Sequence, residues 1–236
     1  MGMSCTTVEQ EGPIMILVPH QEFVLRAAEA PDAVAVADAE MTYATLDELS
    51  DSVATVLLTE GYGAGSVVAL GVPRGVALII GILGIAKAGA AFLAAAPERS
   101  ELWTAELADE VGADFALTED LVWEFARFGD RIPAARVDPF DPACVVPTPD
   151  LAGRPDGRVI RHRTVAERIR QVVQAREAGV GFLARGGACL ELDAVVGEVL
   201  APLVSGGCVR VGGDACLGPV SSRRLRLGFA VGFTGA

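Results

Sequence analysis

The chain is 236 residues long and carries 19 basic against 31 acidic side chains, a formal charge of −12. With 51% hydrophobic and 21% charged residues it can bury a large core, which excludes a mainly disordered protein. A pI near 4.6 excludes a strong nucleic-acid binder, because phosphate recognition needs a net basic surface.

In chain order, residues 1–19 read as an N-terminal extension. They lack the basic region of a secretory signal, and Pro13–Val18 is too short for its hydrophobic stretch. Ala33–Ala37 is a short apolar strand. Thr45–Glu60 places Leu46, Leu49, Val53, Val56 and Leu57 at a helical period and ends at Gly61. Val67–Val72 is a strand, Pro73 opens the way into a helix over Gly75–Ala88, and Ala90–Leu93 is extended. A helix over Leu102–Val111 and a strand at Phe115–Thr118 follow, separated by Gly112. Six prolines between Arg131 and Pro155 mark the best boundary, which divides the chain into residues 20–140 and 141–236. Beyond it lie an arginine-rich helix at Thr164–Ala178, an extended Cys189–Leu192, a helix at Ala194–Val204 and a strand at Gly207–Val211. This βαβ rhythm predicts a layered α/β fold, a mainly parallel sheet flanked by helices.

Val76–Ala96 has 21 residues and one charge, enough to span a membrane. Lys87 near its centre and the absence of an aromatic belt favour a core helix and strand instead. Ile79, Ile80, Leu83 and Phe92 should then be buried, with Gly81 and Gly84 allowing close approach of helix to sheet. Five scattered cysteines without a CxxC pair argue against disulfides or zinc and for the cytoplasm. Two histidines, His20 and His162, exclude a histidine-rich metal site, and neither a metal nor a cofactor is expected. Residues 1–150 hold 7 basic and 24 acidic side chains, residues 151–236 hold 12 and 7. The two parts should attract each other, within a chain or between chains.

Phe23 with Ala28-Glu29-Ala30-Pro31-Asp32-Ala33-Val34-Ala35, followed by Met41-Thr42-Tyr43-Ala44-Thr45-Leu46, resembles the opening of nonribosomal peptide synthetase adenylation domains, members of the adenylate-forming superfamily. Their first core motif has the form L-T-Y-x-E-L. Val67–Pro73 with Gly84–Ala91 is similar to the second, L-K-A-G-x-A-Y, matched by Ala86, Lys87, Ala88, Gly89, Ala91 and Phe92. The resemblance spans about residues 20–215, most specifically the first hundred, and implies the fold of the family's N-terminal subdomains.

In the family the third motif, T-S-G-(S/T)-T-G-x-P-K-G, cradles the ATP phosphates with backbone N–H groups, hydroxyls and a lysine. The corresponding residues are Thr148, Pro149, Asp150, Leu151, Ala152, Gly153, Arg154, Pro155, Asp156 and Gly157. Pro149 removes a donor, Leu151 and Ala152 replace hydroxyls, and Asp156 stands where the lysine belongs. Asp150 and Asp156 would each repel a triphosphate by at least about 1 kcal/mol. Only Arg154 could compensate, and the loop should bind ATP poorly. Leu192-Asp193-Ala194-Val195-Val196-Gly197-Glu198 resembles the fourth motif, F-D-x-S-x-x-E, and keeps Asp193 and Glu198, although Asp193 serves equally as a helix cap. The later motifs are expected to be missing, and Lys87, the single lysine, corresponds to a structural helix end.

The resemblance therefore implies a truncated adenylation-like protein, not an enzyme and without catalytic residues, that acts as a scaffold or auxiliary partner in nonribosomal peptide biosynthesis. The alternative is a nucleotide or amino-acid binder with a rebuilt phosphate loop. His162 reads as a cap or surface residue. Arg158, Arg161, Arg163, Arg168, Arg170 and Arg176 read as a solvated helix face or an acidic partner's contact, with Arg161, Arg163, Arg168 and Arg170 the contact candidates. The expected partner is a second copy, forming a homodimer, or a synthetase component. No membrane and no nucleic acid are expected.

Overall fold

The computed structural model describes residues 18–94, 107–128, 135–149, 155–177, 195–211 and 230–232. It opens with α1 (Pro19–Glu29), which starts at a proline whose missing N–H costs nothing in a first turn. One face of α1 buries His20, Phe23 and Ala27. The strands β1 (Val34–Val36) and β2 (Met41–Thr42) pair antiparallel and lead into α2 (Tyr43–Thr59). Thr42 caps α2 because its Oγ1 accepts the Thr45 N–H at 3.2 Å, so the helix begins two residues before the apolar period predicts.

The strand β3 (Val67–Gly71), the helix α3 (Val76–Ala88) and the strand β4 (Ala91–Ala94) form a parallel βαβ unit. Apart from Lys87, α3 is apolar around its whole circumference because β3 and β4 lie against one side and α1 and α2 against another. It ends at Gly89, whose φ of +81° is left-handed and suits glycine. At its thirteen residues α3 does not span a bilayer, and no helix among the described residues is long and apolar enough to do so. Residues 107–110 are helical and lead to β5 (Phe115–Thr118) and α4 (Glu119–Phe125). The C-terminal elements are β6 (Pro142–Pro149), β7 (Pro155–Arg161), α5 (His162–Glu177), a π-helix (Val195–Leu200), α6 (Ala201–Val204), β8 (Cys208–Arg210) and β9 (Ala230–Gly232).

Two sheets result. The larger has the order β5-β3-β4-β6-β7, parallel except for the antiparallel β6–β7 hairpin. The smaller has the order β2-β1-β8-β9. The layered α/β architecture is thus the one predicted. Residues on both sides of position 140 share the larger sheet, since Phe92 pairs with Cys144 and Leu93 with Val145. In the smaller sheet Val36 pairs with Val209, which joins residues from the two ends of the chain. Pro142, Pro147 and Pro149 sit inside β6 and not in a linker. They flank the two residues that pair with β4, so no bond to β4 is lost.

Other expectations differ in detail. The helix over Ala194–Val204 is a π-turn followed by α6, which restarts next to Pro202, a residue that cannot continue an amide ladder. Cys189–Leu192 and the first part of the Leu102–Val111 helix lie outside the described residues. The elements α1, β2, α4 and the β6–β7 hairpin go beyond the elements read from the sequence, and α1 does so although one of its faces is apolar. Ile79, Ile80, Leu83 and Phe92 are buried as expected. Gly81 approaches Leu70 of β3, but Gly84 faces α2 and not the sheet: a Cβ there would lie 2.6 Å from Val53 Cγ1 and 3.2 Å from the Ser50 carbonyl.

That approach makes a sharp test. Gly84→Ala should lower stability by about 1–3 kcal/mol, because neither the β-branched Val53 nor backbone can yield easily. Gly71→Ala meets nothing within 4 Å and should change stability by less than about 0.5 kcal/mol. Urea denaturation of both variants checks the contrast.

Candidate functional site

The segment expected from its sequence to correspond to the family's phosphate loop is described only at its two ends, in the last residues of β6 and the first of β7. Antiparallel pairing sets Pro147 opposite Gly157, Thr148 opposite Asp156 and Pro149 opposite Pro155. The structure therefore brings the two ends of that segment together. Asp150, Leu151, Ala152, Gly153 and Arg154 lie outside the described residues. Gly157 has a steric reason to be glycine: a Cβ there would collide with Val111, and Val145 Cγ1 would be 3.0 Å away.

The single lysine lies elsewhere. Lys87 sits in the last turn of α3 with no exposed side-chain surface. Its Nζ lies 2.6 Å from Asp47 Oδ1, 2.6 Å from Asp51 Oδ1 and 3.0 Å from the Asp47 carbonyl, all on α2. An ammonium has three protons, and here three acceptors take them. The Phe23 ring of α1 covers the group, its centroid 5.5 Å from Nζ. Asp47 and Asp51 are one helical turn apart, and each keeps about a quarter of its side chain exposed, so the carboxylates face water while the cation does not. Lys87 therefore matches the expected structural helix end. Its two partners carried no motif, although their i, i+4 spacing opposite a lone lysine in an apolar helix was a usable signal.

Beside this clamp lies a pair of buried imidazoles. His20 of α1 and His162, the first residue of α5, meet edge to face with centroids 5.6 Å apart. Both are buried, which corrects the reading of His162 as a surface residue. The reason is that His162 follows the edge strand directly, and its N–H is tied to the Asp141 carbonyl at 3.1 Å, which turns the ring inward under α1. Among the described residues, neither ring nitrogen of His20 and not Nε2 of His162 has a hydrogen-bond partner. Burial pushes His20 down to about 3, helped by His162 and the Lys87 ammonium, and pushes His162 down to about 4 against the opposing pull of Asp141. Burial alone raises the Cys144 thiol to about 12, so it is not a nucleophile.

Of the arginine run, Arg158, Arg161, Arg168 and Arg170 are exposed. Arg163 is half-buried, lies 5.0 Å over the Phe140 ring and pairs with Glu167 at 3.8 Å. Asp193 lies outside the described residues, whereas Glu198 is on the π-helix with a buried carboxylate oxygen. Tyr43 anchors the start of α2 to the C-terminal elements, its hydroxyl 2.9 Å from the Leu203 carbonyl and 2.6 Å from that of Gly207. No cluster of three or more His, Cys, Asp or Glu able to hold a metal occurs among the described residues.

Residues 23–126 match the AMP-binding enzyme family. Over 202 residues the chain is 32% identical to CymA of Salinispora arenicola, described as a probable non-canonical nonribosomal peptide synthetase, an alignment covering 85% of this chain and 3% of that protein. It is 33% identical over 162 residues to surfactin synthase subunit 3 of Bacillus subtilis, covering 60% of this chain and 13% of the other. The chain thus spans only a small part of the relatives' own length. Among solved structures, a nonribosomal peptide synthetase with alpha-methyl-L-serine-AMP bound is 27% identical with a TM-score of 0.71, over 85% of this chain and 24% of that one. The N-terminal subdomain of Klebsiella oxytoca NpsA shares the fold at 20% identity, with a TM-score of 0.66, over 82% of this chain and 52% of that one.

Removing the clamp's cation leaves two carboxylates facing each other over an apolar floor. Lys87→Met should therefore cost on the order of 3 kcal/mol at neutral pH. Asp51→Asn should cost less, since Asp47 keeps two of the three contacts. Urea denaturation curves of the two variants test the order.

Proposed function

We propose that this chain, whose N-terminal portion is that of an AMP-binding enzyme related to nonribosomal peptide synthetase adenylation domains, does not form acyl adenylates and acts in the cytoplasm through contacts with synthetase components. The observation that carries this reading is the state of Lys87. Adenylate formation places a dense negative charge on the triphosphate, and its stabilisation needs cations and preorganised donors at the phosphates. Among these 236 residues there is one lysine, and all three of its protons point to Asp47 and Asp51 in the core. The phosphate-loop segment offers Asp150 and Asp156 instead, with Pro149 in place of a donor.

Exposed arginines support the protein-contact half of the proposal. In a chain of charge −12, Arg158, Arg161, Arg168 and Arg170 gather on one strand and the helix that follows it. Such a face steers an acidic partner surface toward itself. A synthetase component is the proposed partner, and a second copy of the chain is the competing one.

A second reading keeps nucleotide binding with a rebuilt loop. It is favoured by the retained β6–β7 hairpin and by the steric demand for glycine at 157, which hold the loop's two ends in place. Two measurements separate the readings. Amino-acid-dependent pyrophosphate exchange should not exceed a no-protein control, and any clear excess would overturn the proposal. ATP at millimolar concentration should leave the melting temperature unchanged, whereas a reproducible upward shift would favour the second reading.

A further inference from the structure

The His20–His162 contact has no place in the function proposed above, yet it concentrates unusual chemistry. Two imidazoles are buried, face each other with centroids 5.6 Å apart, and among the described residues leave both His20 nitrogens without a hydrogen-bond partner. Buried polar nitrogens are normally satisfied, so an unsatisfied pair at a helix–helix junction calls for a reason. The rings join two elements distant in sequence: α1, which also covers Lys87 through Phe23, and α5, which follows the sheet's edge strand.

We infer that this contact is an acid-sensitive latch: while both rings are neutral they pack α1 onto α5, and proton uptake at either ring releases α1. The surrounding charges make an imidazolium unwelcome. His20 faces the Lys87 ammonium from α3 and His162 from α5. The two carboxylates that could offset that charge, Asp47 and Asp51 of α2, are already bound to Lys87. On the His162 side, Asp141 before β6 acts favourably on the ring. Farther along α1, Glu22 feels Arg170 of α5 and Arg26 of its own helix, and Glu198 of the π-helix, which packs against α5, has one buried carboxylate oxygen. α6, which packs on α1 as well, carries no ionisable side chain.

The sign follows from the depressed ring values. Burial holds the folded rings down to about 3 and about 4, below the ordinary 6.5 of an imidazole released into water. The latch is complete above about pH 6.5 and weakens as pH falls toward the folded values. At about pH 5 each ring raises the opening constant by about 20-fold relative to pH 7. The latch itself needs no ligand or metal.

Hydrogen exchange on the full chain, corrected for intrinsic rates, reads the release directly. Protection of residues 19–29 should fall at least about tenfold between pH 7 and pH 5, while β3 and β4 keep theirs. In the double variant His20→Leu, His162→Leu the same residues should change by less than about twofold, with Asp47, Asp51 and Lys87 intact as an internal control for carboxylate protonation. Unchanged protection in the natural chain, or an equal loss in the double variant, overturns the latch. Should the double variant fail to fold, imidazole proton resonances of the natural chain decide. Both midpoints should fall below about 5 in the folded protein, and a midpoint near 6.5 with the protein folded overturns the inference.

Discussion

A charged amine with no exposed surface can persist only if its protons are satisfied, and the placement of Lys87 constrains much of the N-terminal half. Three acceptors on α2 must reach one atom of α3, which sets the rotation of both helices and their separation. Gly84, one turn before Lys87, removes the Cβ that would keep α2 away. Phe23 closes the remaining side, so α1 is positioned by the same group. The favourable term is local, but it selects one packing among the many that an all-apolar α3 would allow. A helix with Ile79, Ile80, Ile82, Leu83 and Ile85 buried has little else to define which side meets which neighbour.

The motif residues behind the family resemblance divide along this line. Thr42 caps α2, Tyr43 ties α2 to the carbonyls of Leu203 and Gly207, Leu46 fills the core, Lys87 forms the clamp and Gly89 ends α3. Each has a structural task that does not involve a nucleotide. The segment that the sequence resemblance sets against the family's phosphate loop carries Pro149, Leu151, Ala152 and Asp156 where that motif has hydroxyls and a lysine. That contrast is what the proposal of a protein acting through contacts rests on.

Much of this was legible before the structure. The alternation of Val67–Val72, Gly75–Ala88 and Ala90–Leu93 specifies a parallel βαβ unit, since buried strands and a buried helix both read as apolar runs split by Pro73 and Gly89. The β6–β7 hairpin was hidden because its prolines resemble a linker; only register with β4 shows that they fall outside the bonded residues. The clamp is half visible in the sequence: the lysine stands out by its rarity, but no motif marks Asp47 and Asp51 as its partners. His162 was misread because local sequence cannot tell an inward-turned first residue of a helix from a cap, and its burial depends on α1, which is remote in the chain.

The account rests on Lys87 being consumed by the core, and amine reactivity measures that most directly. Pulse acetylation of the native protein with an amine-specific reagent, followed by mass spectrometry, offers Lys87 and the chain's α-amino group for comparison. The α-amino group should be modified while Lys87 stays unmodified, and denaturation in urea should make Lys87 reactive. Labelling of Lys87 in the native protein at a rate close to that of the α-amino group would contradict the buried clamp, and with it the proposal that this lysine is withheld from phosphate chemistry.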